Sequence, residues 1–377
     1  MRLLHAMGLG CMLAVACRRD DPPPAAKAPS PSTTAASTVA SASPSASATP
    51  TPTTGPRFVG YFDRTDPRGP HFSWPGTRID LRFDGTSAKV RFLDGSGGHV
   101  HFTVVVDGKE SRLTLRPGEQ SYVLADGLAK GPHDVSLFRN SEALWGETQL
   151  LGFDVDGPYL PTVAPARSLL FVGDSITCGY GTEGKGPGCG FVASEENAYR
   201  GWAGVTARAL GADVVILAFS GGGVYRNNDG DRDDTMGARI KRTVPTRKSS
   251  PPPDALSAPG AIVINLATND FAFGAPPQAG FEAAYAALLD DLHRQWPTSP
   301  FVAALGPMLY GRALDTARSM TNAIVKSARD RGMDIELLEL PMQDGSDGWG
   351  CQHHPSVKRQ ESMARDLTAH LQRRLHW

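Results

Sequence analysis

Two hydrophobic rhythms divide the chain. Between Phe58 and Asp156, apolar residues tend to recur at every second position. Ile79, Leu81 and Phe83 alternate with Asp80 and Arg82, and Val90 and Phe92 alternate with Lys89 and Arg91. A period of two marks strands with one buried face. Val100 to Val106 runs into Asp107-Gly108, a tight-hairpin signal, and Val135, Leu137 and Phe138 mark another short strand. Short strands between Gly and Asp turns predict a small antiparallel β-sandwich over 57–158. After the proline-punctuated joint 158–165, continuous apolar strands fall at 169–172, 214–219, 261–266, 301–305 and 335–338. They are interleaved with helical stretches at 198–210, 281–296, 314–331 and 357–375. That order predicts an α/β domain over 165–377, with a parallel sheet covered on both faces.

The N-terminus follows neither rhythm. Arg2 precedes a mostly apolar stretch, 3–16, too short for a stable membrane span. Ala14-Val15-Ala16 before Cys17 resembles a bacterial lipoprotein signal over 1–17, with Cys17 as the lipidated residue. The competing reading is an ordinary secretory signal cut near Ala16, and both readings take the protein out of the cytoplasm. Residues 18–56 are dominated by Pro, Ala, Ser and Thr and read as a disordered tether. With a formal net charge of -1, no strong field favours nucleic acid. Cys11 leaves with the signal and Cys17 carries lipid. Cys178, Cys189 and Cys351 then predict one disulfide and one free or buried thiol, with the pairing open.

Ser175, Gly221, Asn269 and Pro307 all follow strand ends, where open α/β sheets bind ligands, and His354 stands at the entry to the last helix. Gly173-Asp174-Ser175-Ile176-Thr177 offers a hydroxyl and Ser220-Gly221-Gly222-Gly223 offers backbone N–H groups. Thr268-Asn269-Asp270 offers a side-chain amide, and His353-His354-Pro355 offers a base. Acyl transfer by serine uses these parts. Each has a plainer reading: a helix-capping serine, a flexible turn (the better reading for Gly222 and Gly223), an Asn-Asp turn and a structural histidine. Their shared rim favours chemistry. Gly179 to Lys185 nearly spells a phosphate loop, but Gly186 stands where Ser or Thr would hold Mg²⁺. Asp229, Asp231 and Asp233 read as a solvated loop, and no zinc-ligand spacing appears.

In order, Gly173-Asp174-Ser175, Gly221, Asn269 and His354 resemble the four blocks of the SGNH (GDSL-type) hydrolase superfamily. Its third block is usually G-x-N-D, and Ala267-Thr268-Asn269-Asp270 keeps the donor but loses the glycine. The longer run from Phe171 to Gly181, with Glu196-Asn197 and His354-Pro355-Ser356 behind a β-sandwich, resembles carbohydrate esterase family 2. The resemblance implies a three-layer, flavodoxin-like SGNH domain preceded by a jelly-roll-like sandwich. It implies an acetyl esterase acting on acetylated polysaccharides or oligosaccharides such as xylan.

Carried over, Ser175 is the nucleophile and His354 the base. The N–H groups of Ser175 and Gly221 and the Asn269 amide form the oxyanion hole. The carboxylate positions two and three residues before the histidine hold Gln352 and Cys351. A Ser-His dyad oriented by a backbone carbonyl is therefore expected, with the Gln352 oxygen or Asp347 as other candidates. Trp349 and Tyr225 are candidate sugar-stacking residues, against core packing. The sandwich either binds glycan or walls the site.

The expectation is an extracytoplasmic, lipid-anchored monomeric serine esterase that needs no cofactor or metal and binds no nucleic acid. The competing expectations are an esterase for lipid or another O-acylated glycan, and a non-catalytic glycan-binding lipoprotein.

Overall fold

A computed structural model describes residues 53–377. The signal, Cys17 and most of the tether lie outside the described residues. The tether expected over 18–56 ends early. β1 (Thr53–Thr54) pairs antiparallel with β11 (Pro161–Thr162), so part of it joins the fold. Threonine is β-branched and suits such a ladder.

The predicted sandwich is present. It comprises β2 (Arg57–Val59), β3 (His71–Phe72), β4 (Arg78–Gly85), β5 (Ala88–Asp94) and β6 (His101–Val106). β7 (Lys109–Thr114), β8 (Gly118–Ala125), β9 (Gly131–Arg139) and β10 (Thr148–Val155) complete it. The order is β3-β10-β5-β8 in one sheet and β2-β4-β9-β6-β7 in the other. The alternation read from sequence sets the inner faces: Ile79, Leu81, Phe83, Val90 and Phe92 are buried in one core. Phe92 and Phe102 stack across it at 5.2 Å.

The sheet of the α/β domain is parallel, β13-β12-β14-β15-β16. Its strands are β12 (Arg167–Gly173), β13 (Ala212–Ala218), β14 (Ala261–Asn265), β15 (Phe301–Leu305) and β16 (Ile335–Glu339). In strand order this is the flavodoxin-like pattern, whose switch point lies beside its first strand. Helix α1 (Ser175–Cys178) follows β12 directly, and α3 (Met236–Arg239) is a short turn. α2 (Trp202–Leu210) and α6 (Val357–Leu375) cover one face. α4 (Gln278–Gln295) and α5 (Gly311–Asp330) cover the other. Every residue of β14 and β15 is buried, which is why they read as apolar runs; the polar Asn265 at the end of β14 donates to Ala304 O and Gly306 O, each at 3.1 Å. In α5, Ala317, Met320, Thr321, Ile324, Val325 and Ala328 are buried, the spacing of a single helical face. α2 starts later than the predicted 198, because Asn197 Oδ1 accepts the Arg200 N–H at 3.0 Å and holds a turn ahead of Gly201.

The sandwich shares core with the α/β layers. Phe138 meets Tyr199 edge-on at 5.4 Å, and the Trp74 indole N–H donates to the Arg242 carbonyl at 3.1 Å. Asp213, on β13, accepts from Arg57 at 2.7 Å and also pairs with Arg78. The loop between β9 and β10 is thereby pressed against the carboxyl rim of the parallel sheet.

Candidate active site

β12 ends at Gly173, and the chain turns into α1 with Ser175 as its first residue. Asp174 caps the turn, its Oδ1 accepting the Ile176 N–H at 3.0 Å. The capping reading therefore belongs to Asp174, and the Ser175 hydroxyl is left for His354. His354 Nε2 lies 2.8 Å from Ser175 Oγ, and Nδ1 lies 3.1 Å from the Cys351 carbonyl oxygen. A carbonyl only accepts, so Nδ1 carries the proton and Nε2 presents a lone pair to the serine. This is the carbonyl orienter expected from the sequence. Gln352 accepts instead from the Tyr180 hydroxyl. Asp347 pairs with Lys358 at 3.2 Å and Arg359 at 3.7 Å. His353, the other histidine of this segment, packs against Trp349 at 5.4 Å.

The loop carrying His354 is unusual. Gln352 and His353 have φ of 50° and 60°, the left-handed region that non-glycine residues enter at a cost. Several contacts hold it there. The Cys351 N–H donates to Gly181 O at 3.0 Å, the Gln352 N–H to Pro187 O at 3.1 Å, and Gln343 Nε2 to His353 O at 2.5 Å. Cys351 is also bonded to Cys189, and Cys178 is the free, buried thiol. Burial beside this loop pulls the His354 pKa down to about 4, with the neighbouring His353 adding to the shift.

Ser175, Gly221, Asn269 and His354 line one cavity of about 680 Å³. Gly221 has φ of 78°, and a Cβ there would sit 2.5 Å from Asn228 Oδ1, so glycine is strongly favoured. The expectation of a loose turn at Gly222 and Gly223 is corrected: a Cβ on Gly223 would lie 1.9 Å from Arg226 O, so the turn is tightly packed. The Asn269 amide donates to Gly222 O at 2.9 Å and to Asp174 Oδ2 at 3.2 Å. Burial pushes the Asp174 carboxyl up to about 7. Ala267 stands where the superfamily pattern has glycine, and its φ is 124°. The backbone has kept the glycine geometry without the glycine.

Tyr225 and Trp349 do not line this cavity. Asp270 gathers the N–H groups of Val224, Tyr225 and Arg226 at 3.1, 2.7 and 3.0 Å and pins that turn. The Tyr225 ring lies against Gly280 in α4, and Arg232 covers it at 4.3 Å. Trp349 packs near Gly345 and His353. Tyr180, Phe191 and Phe219 are the aromatic lining. Tyr180 lies 4.1 Å from the His354 ring, Phe191 stacks on Tyr180 at 4.9 Å, and Trp145 from the sandwich packs on Phe191 at 4.2 Å. Leu144, also from the sandwich, lines the cavity, so the sandwich walls the site. Tyr180 sits within the run quoted for the family resemblance. Phe191 and Trp145 carry no signal beyond being aromatic residues in loops.

Among the described residues, one group of side chains has metal-ligand spacing: Cys189, Glu195 and Cys351. Its two thiols are consumed by the disulfide. The Asp229–Asp233 loop is folded on itself, with Asp231 accepting the N–H groups of Asp233 and Asp234 at 3.0 and 3.3 Å.

Comparison with known proteins adds independent evidence. Residues 58–162 match the model described as carbohydrate esterase 2 N-terminal, and residues 171–367 match the GDSL-like lipase/acylhydrolase family. The chain is 36% identical over 325 residues to the cellulase/esterase CelE of Acetivibrio thermocellus, covering 85% of this chain and 39% of that protein. It is 28% identical over 325 residues to an acetylxylan esterase/glucomannan deacetylase of Cellvibrio japonicus, covering 80% of this chain and 85% of the relative. A solved structure of a family two carbohydrate esterase from Clostridium thermocellum, in complex with cellohexaose, superposes with a TM-score of 0.82. That protein is 36% identical, and the match covers 86% of this chain and 100% of that one.

Proposed function

The chain belongs to carbohydrate esterase family 2 and is a carboxylic ester hydrolase; we propose that it removes O-acetyl groups from polysaccharides or oligosaccharides of the xylan type by Ser-His catalysis. Ser175 Oγ attacks the acetyl carbonyl carbon while His354 Nε2 takes its proton. The carbonyl oxygen becomes an oxyanion, met by the N–H groups of Ser175 and Gly221 and by the Asn269 amide. The N–H now directed at Asp174 across 3.2 Å is the one an oxyanion takes over. Collapse expels the sugar hydroxyl, which receives the proton from His354. Water, deprotonated by the same imidazole, then releases acetate from Ser175.

The observation that carries this reading is the 2.8 Å contact from Ser175 Oγ to an imidazole whose other nitrogen is fixed by the Cys351 carbonyl. The cavity rim suits sugar hydroxyls, with Asn227, Asn228, Asp229, Arg239 and Gln352 among its lining. A disulfide supports an extracytoplasmic site of action, as does the N-terminal signal pattern with its candidate lipidation at Cys17. The test is acetate release from acetylated xylan and other acetylated glycans. Ser175→Ala should lower kcat by at least about 10⁴-fold. Wild-type protein that releases no acetate from any of them overturns the reading.

A further inference from the structure

The loop between β9 and β10 carries a charged residue with no place in the mechanism above. Glu142 is fully buried, although the loop belongs to the sandwich. Burying a carboxylate is costly unless it is well partnered. Arg139 gives its N–H groups to the carbonyls of Ser141, Glu142 and Gly146 and to Thr148 Oγ1, so it and Arg239 act on the buried carboxylates through Coulomb attraction alone. A second buried carboxylate, Glu196, lies alongside and makes matters worse by like-charge repulsion. Burial pushes both carboxyls up.

Glu142 instead reaches into the other domain. Its Oε2 accepts the Ser220 N–H at 2.8 Å, and its Oε1 accepts the Ser220 hydroxyl. Ser220 is the residue before Gly221, so both carboxylate oxygens hold the peptide that leads into the oxyanion turn. Glu196 holds Glu142 in turn: its Oε1 accepts the Glu142 N–H at 2.6 Å, and its Oε2 accepts the Trp145 indole N–H at 2.8 Å. Trp145 then packs on Phe191, which continues through Tyr180 to His354. One sandwich loop thus braces the oxyanion turn directly and the histidine through stacked rings.

We propose that Glu142 is a positioning residue for catalysis, clamping Ser220 so that the Gly221 N–H is aimed at the developing oxyanion. The sandwich therefore completes the active site. This rests on the esterase reading, because an oxyanion turn matters only if an oxyanion forms.

The test compares Glu142→Gln, Glu142→Ala and Ser220→Ala in the full chain on 4-nitrophenyl acetate, with melting temperature measured for each. Glutamine can keep both contacts, accepting from the Ser220 N–H and donating to its hydroxyl, and is expected to hold kcat within about threefold. Glu142→Ala is expected to lower kcat by about 100-fold with KM within twofold, the size of losing one oxyanion donor. Ser220→Ala keeps the N–H contact and is expected to lose about tenfold in kcat, and it keeps the test usable if Glu142→Ala does not fold. Affinity for a phosphonate that mimics the tetrahedral intermediate should fall in parallel with kcat, which loss of stability alone would not produce. Folded Glu142→Ala or Ser220→Ala with unchanged kcat and phosphonate affinity overturns the proposal. So does a Glu142→Gln variant as impaired as Glu142→Ala. If Ser175→Ala retains activity in the same assay, the esterase reading has failed instead.

Discussion

Ser175 and His354 meet at 2.8 Å, yet the backbone beneath each is held by different forces. Ser175 stands at the end of β12, hydrogen-bonded on both sides to β13 and β14. Its position follows from the register of a buried sheet, and the apolar run that builds the sheet places the nucleophile as a by-product. His354 has no strand beneath it. It hangs from a short turn with two left-handed residues, held by a disulfide and several loop hydrogen bonds. The proposed nucleophile is placed by the hydrophobic core, and the proposed base by local polar contacts and one covalent bond. Damage to the two sides should therefore look different.

Among changes that spare the reacting side chains and the oxyanion turn, the largest effect on this contrast is expected from Cys189→Ser, which cuts the covalent hold on the base side and leaves β12 untouched. Removing a native disulfide costs about 2–5 kcal/mol. Displacing a catalytic group by about 1 Å can cost 10²-fold, so kcat on 4-nitrophenyl acetate should fall by about tenfold to a hundredfold. The comparison breaks if kcat is unchanged while urea unfolding shows the expected loss of stability.

A pH profile probes the same side more gently. The His354 pKa is lowered from 6.5 to about 4 by burial. Its folded value is below its unfolded value, so between those two pH values the unfolded chain takes up the proton first. Its contribution to stability accordingly falls as pH drops through that window and is level above it. For catalysis the imidazole stays a free base through most of the window. The acid limb of kcat/KM should therefore lie well below 6.5. A limb at the ordinary histidine value would mean that the base side is open to water.

The smallest effect is expected on the sheet side. Ala267 is buried at φ of 124°. Such backbone strain costs about 1–3 kcal/mol for a residue with a Cβ, and the methyl group regains about 0.8 kcal/mol by burial. Glycine's greater freedom in the unfolded chain takes back about 0.4–1 kcal/mol, so Ala267→Gly should stabilise the protein by about 0.5 kcal/mol, read from urea unfolding, with kcat within twofold. A loss of stability would show that the methyl group packs better than the strain costs.

The same contrast explains what the sequence could reveal. Strand and helix periodicity reports core formation, so the parallel sheet and the Ser175, Gly221 and Asn269 turns at its rim were legible. A backbone carbonyl as orienter could be reached because the usual carboxylate positions hold Gln352 and Cys351; that it belongs to Cys351 comes from the fold. The base-side loop itself was not legible: its left-handed residues and the choice of Cys189 over Cys178 depend on contacts between segments far apart in the chain. Tyr225 and Trp349 were poor choices because nearness in sequence does not fix side-chain direction. Asp270 turns Tyr225 towards α4 by gathering three backbone N–H groups. Glu142 was hidden for the opposite reason. A glutamate in a polar loop reads as solvated, and only docking of the sandwich buries it.

The disulfide also imposes an order of assembly. Cys189 and Cys351 lie 162 residues apart, and His354 follows the second of them. Synthesis from the N-terminus delivers Ser175 well before Cys351 and His354. A growing chain therefore carries a serine with nothing to arm it, and a polypeptide truncated before Cys351 remains chemically mute. Under the proposed mechanism, hydrolysis can begin only once Cys351 and His354 have been made, and it reaches full rate once the thiols of Cys189 and Cys351 have joined.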